Sequence, residues 1–401
     1  MMVLGGLFLV VALGLFLRGQ VALRWNTLKL ERHDHIPRAA ILVPARYESA
    51  VVTGLFESLA NQTVIINPAD VYVIVEDAQD PTVKIAEHYH HQVFVRQDLT
   101  RQCKGAALDE AIKWILPDHD YDAYFIFDAD NVLAPDYFEK MYTSYLAGYE
   151  ITTGYRNLKN TKMNVIAAVS GLTFSMINTM SNRERSEHGA NIVISGTGYY
   201  IDGRLVEEWQ GWPFQSLTED YELSLYATLH GISTHYNEHA MFYDEQPTKY
   251  RQTVMQRVRW IKGYFTARKK YIPLLKLKKQ AHNYGSIVKE KIGVRPAIYA
   301  IVGLVLLLVG AVVDLVVLGY GGCVPWVILG VLMLVYIVLM VITVVMLKRE
   351  RYDLPPRVRF WTVVFNPLYL VTYIPCALKA LLGKNVTWQR IDHSDQYNVA
   401  S

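Results

Sequence analysis

Cysteine is scarce in this chain of 401 residues, with Cys103, Cys323 and Cys376 as the whole complement. Their separation matches neither a disulfide framework nor a zinc-ligand spacing, so the polar part of the chain reads as reduced and cytoplasmic. Net charge is nearly absent as well. A formal +3 lacks the basic excess of a nucleic-acid binder, and no nucleic acid is expected among the partners. The first apolar run, Met2 to Leu17, contains no charge and has its basic residues, Arg18, Arg24, Lys29 and Arg32, behind it. A signal peptide has the opposite order and a small-residue cleavage site, so the run reads as an uncleaved anchor.

What the chain has in excess is apolar residues, 52% of the total, and they are clustered. Ala297 to Leu318 and Trp326 to Leu347 are each long enough to cross ~30 Å of hydrocarbon. The turn Gly319-Tyr320-Gly321-Gly322 between them makes a hairpin. Lys and Arg crowd residues 268–295 and 348–359 but are missing from that turn. The positive-inside rule then puts residues 18–295 and 348 onward in the cytoplasm. Asp314, near the outer end of its span, reads as reaching the interface. Val358 to Leu382 is apolar too, but Asn366-Pro367 and Ile374-Pro375 should break a straight helix. It reads as an interfacial or re-entrant segment with the tail inside. Tyr264 to Lys279 alternates aromatic and aliphatic residues with lysine, as a helix lying in the interface does.

Residues 38–260 read as α/β. Ala40 to Val43, Val71 to Val75, Val93 to Val95 and Ala123 to Phe127 are short runs of Val, Ile and aromatics. Stretches of helical period such as Val51 to Ala60 and Cys103 to Leu116 separate them, which predicts parallel strands with crossover helices. Ligands collect beyond the carboxyl ends of such strands. There the chain carries Pro44-Ala45-Arg46-Tyr47-Glu48, Glu76-Asp77, Lys104-Gly105 and Asp128-Ala129-Asp130. A single acid at a strand end is commonly a turn or helix cap. Four charged ends in succession point to a polar site on one edge.

Asp128 and Asp130, two apart, can turn both carboxylates toward one Mg²⁺ or Mn²⁺, which shares its coordination with substrate phosphates. The stretch Asp128 to Val132 also fits the opening motif of haloacid-dehalogenase-type phosphatases, but that motif ends a first strand, and three charged strand ends precede it here. A nucleotide-sugar site is the other reading, with the ion offsetting leaving-group charge. Thr218-Glu219-Asp220 supplies a base, although by local spacing it is equally a helix N-cap with acids in the first turn. Gln256-Arg257-Val258-Arg259-Trp260 offers a flat ring and guanidinium groups to a sugar and a diphosphate, or else anchors the chain at an interface. His33 with His35, and His88 with His90 and His91, look like solvated linker and helix rather than metal ligands. Tyrosines between Tyr236 and Tyr250 either line a sugar path or pack against membrane-proximal helices.

In this order and spacing the motifs resemble those of the membrane-bound family 2 glycosyltransferases of the GT-A fold, the group of cellulose, hyaluronan and poly-N-acetylglucosamine synthases. Ser195-Gly196-Thr197-Gly198 and Gln256-x-x-Arg259-Trp260 complete the set. The resemblance implies an α/β nucleotide-sugar-binding domain with transmembrane and interfacial helices. Glu48 and Asp77 would hold uracil and ribose, Lys104 would lie near the phosphates, and Asp128 would contact the nucleotide while Asp130 ligates the metal. Asp220 would be the general base, with Glu219 beside it shaping the acceptor site. Arg259 would contact the diphosphate, and Trp260, with Gln256 and Gly196, would form the acceptor site. Donors in that family are α-linked and products β-linked, which implies direct displacement.

The organisation expected is an anchor over 1–24, a cytoplasmic GT-A domain over 38–263 and a basic interfacial region over 264–295. A transmembrane hairpin over 297–347, an interfacial or re-entrant segment over 358–382 and a gating-loop-like tail over 383–401 complete it. The enzyme expected is multi-pass in the cell membrane, using a UDP-sugar, with glucose or N-acetylglucosamine the sugar, to extend a β-linked polysaccharide. The alternative is a single transfer to diacylglycerol or a polyprenyl phosphate. With fewer spans than the cellulose synthases, a small tunnel, a homo-oligomer or an export partner would replace their channel. A membrane scaffold without activity leaves the metal dyad, the base and the charged strand ends unexplained.

Overall fold

The computed structural model describes residues 36–118, 120–160, 164–278, 324–350 and 352–383, with isolated residues between 5 and 14 and between 299 and 313. Most of the N-terminal run, the first arm of the hairpin and the tail beyond Gly383 therefore lie outside the described residues.

Among the described residues the strands form an eight-stranded sheet in the order β3-β2-β1-β4-β7-β6-β8-β5. The first half is the expected one. β1 (Ala39–Pro44), β2 (Val71–Val75), β3 (Gln92–Val95) and β4 (Ala123–Ile126) are all parallel. β1, β2 and β4 are buried on both faces, which is why they read as unbroken apolar runs rather than alternating ones, whereas the edge strand β3 is partly exposed. β7 (Tyr199–Asp202) then pairs antiparallel with both β4 and β6 (Ile151–Leu158), and β8 (Thr234–Asp244) runs parallel to β6. The two-residue strand β5 (Val132–Leu133) closes the edge against β8.

One core lies on each face. On the first, Val52, Leu55, Phe56 and Leu59 of α1 (Val52–Ala60) recur at helical spacing and pack on Ile41, Val43, Val71 and Val73. They are joined by α2 (Pro81–His88) and by the aromatic face of α4 (Tyr137–Leu146). On the second, α3 (Lys104–Ile115), α7 (Gly203–Trp209) and α8 (Glu219–His230) cover Ala40, Leu42, Tyr72 and Ile74. Arg96, at the end of β3, is buried and clamps this face. Its guanidinium donates to Glu110 at 2.7 Å, Glu76 at 3.3 Å and the Asp98 carbonyl at 2.8 Å. Breaking a buried pair of this kind costs about 3–5 kcal/mol, because a charge is left without a partner.

The helices beyond the sheet depart from expectation in two places. Tyr264 to Lys278 does not begin a separate segment; it is the second half of one helix, α9 (Tyr250–Lys278). Its apolar residues Ala267, Tyr271 and Leu275 are buried against Tyr221, Leu225 and Leu229 of α8, so a boundary at 263/264 cuts a continuous element. The second departure concerns the prolines. Pro367 sits inside α11 (Pro356–Val371), and the break comes at Thr372, before α12 (Tyr373–Leu382) with Pro375 in its first turn. A proline is tolerated there because those amides have no partner within the helix.

α5 (Val165–Ile177) continues through a π-helical turn, Asn178–Arg183, into the short α6 (Glu184–Glu187). α10 (Val324–Arg349) ends on α5 and β6: Met346, Leu347 and Tyr352 pack on Leu158, Ala168 and Leu172. There the buried Glu350 accepts a hydrogen bond from the Tyr155 hydroxyl at 2.6 Å. The stretches Ile328–Arg349 and Pro356–Leu382 are helical, long and apolar enough to cross a membrane.

Candidate functional site

A cavity of about 1390 Å³ opens where the parallel strands end. It collects Glu48, Lys104, Asp128, Asp130, Gly196, Glu219, Asp220, Gln256, Arg259 and Trp260 from across the sequence. Asp77 is not among its lining residues. The Tyr47 hydroxyl donates to one of its carboxylate oxygens at 3.0 Å and the Gln79 amide to the other at 2.9 Å, which holds it in the loop. Glu76, one residue earlier, faces the cavity instead and pairs with Arg46 at 2.9 Å. Adjacent residues at a strand end point to opposite sides, so the dipeptide alone did not say which acid enters.

The chain past β4 makes a polar knot. The Asp128 amide donates to the Thr197 hydroxyl at 2.8 Å, and Asn131 donates to Asp130 at 3.0 Å and to Asp244 at 3.2 Å. Asp128, Asp130 and Asp244 each offer an oxygen within 4.8 Å of the others. Three hard anionic donors at this separation suit Mg²⁺ or Mn²⁺. Asp244, at the end of β8, is a residue that sequence spacing gave no reason to join with the other two. Burial pushes its carboxyl upward, against the pull of Arg156, which donates to it at 2.6 Å. Arg156 follows a register shift in β6, the kind of bulge that re-aims a side chain. It also donates to the Ser195 carbonyl at 2.7 Å and lies 3.7 Å over the Phe174 ring.

Thr218 precedes α8 at its N-terminus, with Glu219, Asp220 and Glu222 in the first turn, where the helix dipole favours negative charge. Glu219 is buried, and its carboxyl is pushed up to about 7, first by burial and then by the charge of Asp220. Asp220 is raised by burial too, opposed by Lys104, Arg259 and Arg156. Two glycines let this loop close. A side chain at Gly105 would collide with the Phe214 carbonyl, which lies on the first turn of α3. Gly196 has φ +83°, and a Cβ there would come 3.4 Å from the Asp220 carboxylate.

The stretch from Gln256 to Trp260 divides its duties by helical phase. Gln256, Arg259 and Trp260 face the cavity, and Trp260 stands edge-on to Phe174 with ring centroids 5.5 Å apart. Arg257 points the other way. It is buried over the rings of Tyr369 and Tyr373, at 4.4 and 4.8 Å, and donates to Thr372 at 2.7 Å. Beyond Trp260 the wall turns apolar, with Met176, Ile177, Ile261, Leu370 and Tyr373. Tyr236 belongs to the core with Tyr155 and Ile192 rather than to this wall. From its neighbourhood only Asp244, Glu245 and Gln246 reach the cavity. His91, from the histidine stretch, packs edge-on against Phe56 at 4.5 Å.

A parallel half-sheet ending in a cation-ready carboxylate cluster, extended through the antiparallel β7 to β6 and β8 and carrying an acidic helix start, has the architecture of the GT-A fold. Residues 37–263 match the family described as Glycosyltransferase like family 2, and the chain belongs to that family. The probable glycosyltransferase YdaM of Bacillus subtilis (strain 168) is 23% identical over 247 residues, which are 58% of this chain. The chain spans about half (56%) of that protein's length. The mannosyltransferase PcManGT from Pyrobaculum calidifontis, solved with GDP-Man and Mn²⁺, superposes with a TM-score of 0.63 at 13% identity. That likeness is one of fold, and it covers 96% of this chain and 99% of the other.

Proposed function

We propose that this chain is an inverting glycosyltransferase that moves a sugar, glucose or N-acetylglucosamine, from a UDP-sugar to an acceptor hydroxyl at a membrane. The supporting observation is the cavity itself, which places three carboxylates, Lys104, an acidic pair and Arg259-Trp260 around one space. Asp128, Asp130 and Asp244 would hold Mg²⁺ or Mn²⁺, which supplies charge neutralisation to the leaving diphosphate. Asp220 takes the proton of the acceptor hydroxyl as that oxygen forms its bond to the anomeric carbon. The bond from that carbon to the diphosphate oxygen breaks, and its electron pair leaves with the nucleotide. Lys104 and Arg259 offset the charge that develops there. Attack opposite to departure turns an α-linked donor into a β-linked product. Glu48 and Glu76 stand at the nucleoside end, with Gly196 and Glu219 beside the acceptor.

Trp260 against Phe174 is a platform for a sugar ring and supports a growing β-linked glycan as the acceptor. The apolar wall from Met176 to Tyr373 favours a second reading, a single transfer to a lipid-linked acceptor. α10 and the α11–α12 pair would seat the domain at the cytoplasmic face of the cell membrane, with the N-terminal run as a further anchor. Purified chain in liposomes, given UDP-glucose, UDP-N-acetylglucosamine and GDP-mannose with Mn²⁺, separates these readings. Nucleotide release together with a ladder of product sizes supports the polymer. A product one sugar long on lipid supports the second reading.

The acidic pair sets the pH response. Folding raises the Glu219 carboxyl from 4.5 to about 7, so in that window the folded chain binds the proton more tightly than the unfolded one. Stability then falls as pH rises through the window. Glu219→Gln is expected to flatten that fall in thermal melts taken from about pH 5 to about pH 8. Asp220 ionises while Glu219 is still protonated and neutral, so the acid limb of kcat is expected to stay in place in this variant. A limb that moves to lower pH would contradict this order of ionisation.

A further inference from the structure

The carboxylate cluster is already partly neutralised by the protein's own cations, and these are held in two different ways. Arg156 neutralises Asp244 and is fixed at three points: Asp244 at 2.6 Å, the Ser195 carbonyl at 2.7 Å and the face of Phe174 at 3.7 Å. Such a planar, stacked fork is preorganised where it stands. Lys104 neutralises Asp128. Its ammonium touches the Asp128 carboxylate and donates to the Gly196 carbonyl at 2.7 Å. Lysine is a point charge on a flexible four-carbon stem, and the Asp128 side chain is 41% exposed to the cavity. One cation is built in, and the other can swing.

We propose that Lys104 is a displaceable stand-in for the divalent ion at Asp128, so that the ion binds together with the nucleotide rather than ahead of it. This rests on the metal-assisted reading above. An ion ligated by Asp128 at ~2.0–2.6 Å lies beside the ammonium that now occupies that carboxylate, and the two repel. Lys104 must leave, and it needs another anionic partner. The start of α3 supplies the place. Lys104 is its first residue, and Cys103 before it makes no side-chain cap. The first-turn amides therefore have no partner within the helix, and with the positive end of the dipole they favour a phosphate group. A diphosphate bound there draws Lys104 off Asp128 and opens the ion site in the same movement. Nucleotide and ion then tighten each other by the same factor.

The test is Mn²⁺ titration of the full-length chain in detergent, with free Mn²⁺ read by electron paramagnetic resonance, alone and with saturating UDP or GDP. The wild-type chain is expected to bind Mn²⁺ about tenfold or more tightly with nucleotide than without it. Lys104→Met and Lys104→Gln are expected to bind Mn²⁺ alone about tenfold more tightly than the wild type, a gain where loss of an ordinary site residue brings a loss. Their nucleotide dependence should shrink toward none. Variants that bind Mn²⁺ alone no more tightly than the wild type would overturn the proposal. So would a wild-type affinity indifferent to both nucleotides, a result that needs no variant to fold. Absence of Mn²⁺ binding even with nucleotide would overturn the metal-assisted reading itself, and the stand-in role with it.

Discussion

Asp220→Asn is expected to lower kcat by about a hundred- to ten-thousandfold, the range for losing a positioned general base, with nucleotide affinity held. Asparagine keeps the shape of the side chain but cannot take a proton. Asn matches Asp in size, so it is the least disruptive replacement in this part of the cavity wall. The loss should fall on kcat, because the acceptor proton moves only in the reaction step. Product formation under saturating donor, with UDP affinity measured by calorimetry, checks both halves. Retention of activity within about tenfold would move the base to Glu219, which stands next to it with its carboxyl at about 7.

Asp130→Asn should have the second largest effect. It removes one of the three carboxylates of the proposed ion site and adds an amide that carries no charge, where the proposed ion would offset a diphosphate. Several kcal/mol of charge stabilisation are at stake, about a thousandfold in rate. Activity should recover only in part at high Mn²⁺. Asp244→Asn removes another carboxylate of the cluster but also leaves Arg156 without its carboxylate. Its loss of activity should therefore come with a lower melting temperature, as it does when one partner of a buried pair is removed. A melt series alongside Mn²⁺ titration separates the two variants.

The catalytic half of the fold was legible because its physics is local. β1, β2 and β4 are buried on both faces and so read as unbroken apolar runs, and each ends on a charge that a structural sheet does not need. What stayed hidden depends on distant pairing. β8 carries Thr, His, Asn and Glu among its aromatics, so nothing local marks it as a strand or makes Asp244 a neighbour of Asp130. Arg156 sits inside β6, where a register shift invisible in the sequence turns it toward the cavity. Asp77 and Glu76 could not be told apart without knowing which side of the strand end faces the ligand. The length of α9 was masked by its many Lys and Arg residues, which suggested an interface while its apolar face was buried on α8. The family resemblance grouped Gln256, Arg259 and Trp260, which α9 brings to the cavity together. The burial of Arg257 under Tyr369 and Tyr373 was not legible, since those rings come from α11 and α12.

The central claim is that this cavity transfers a sugar from a nucleotide. Its most direct test is nucleotide release from a UDP-sugar by the reconstituted chain with Mn²⁺, compared with the combined variant Asp128→Asn, Asp130→Asn and Asp220→Asn. Release by the wild-type chain, lost in the variant while its melt and circular dichroism are retained, is the predicted result. Release that is unchanged in the folded variant would contradict the account.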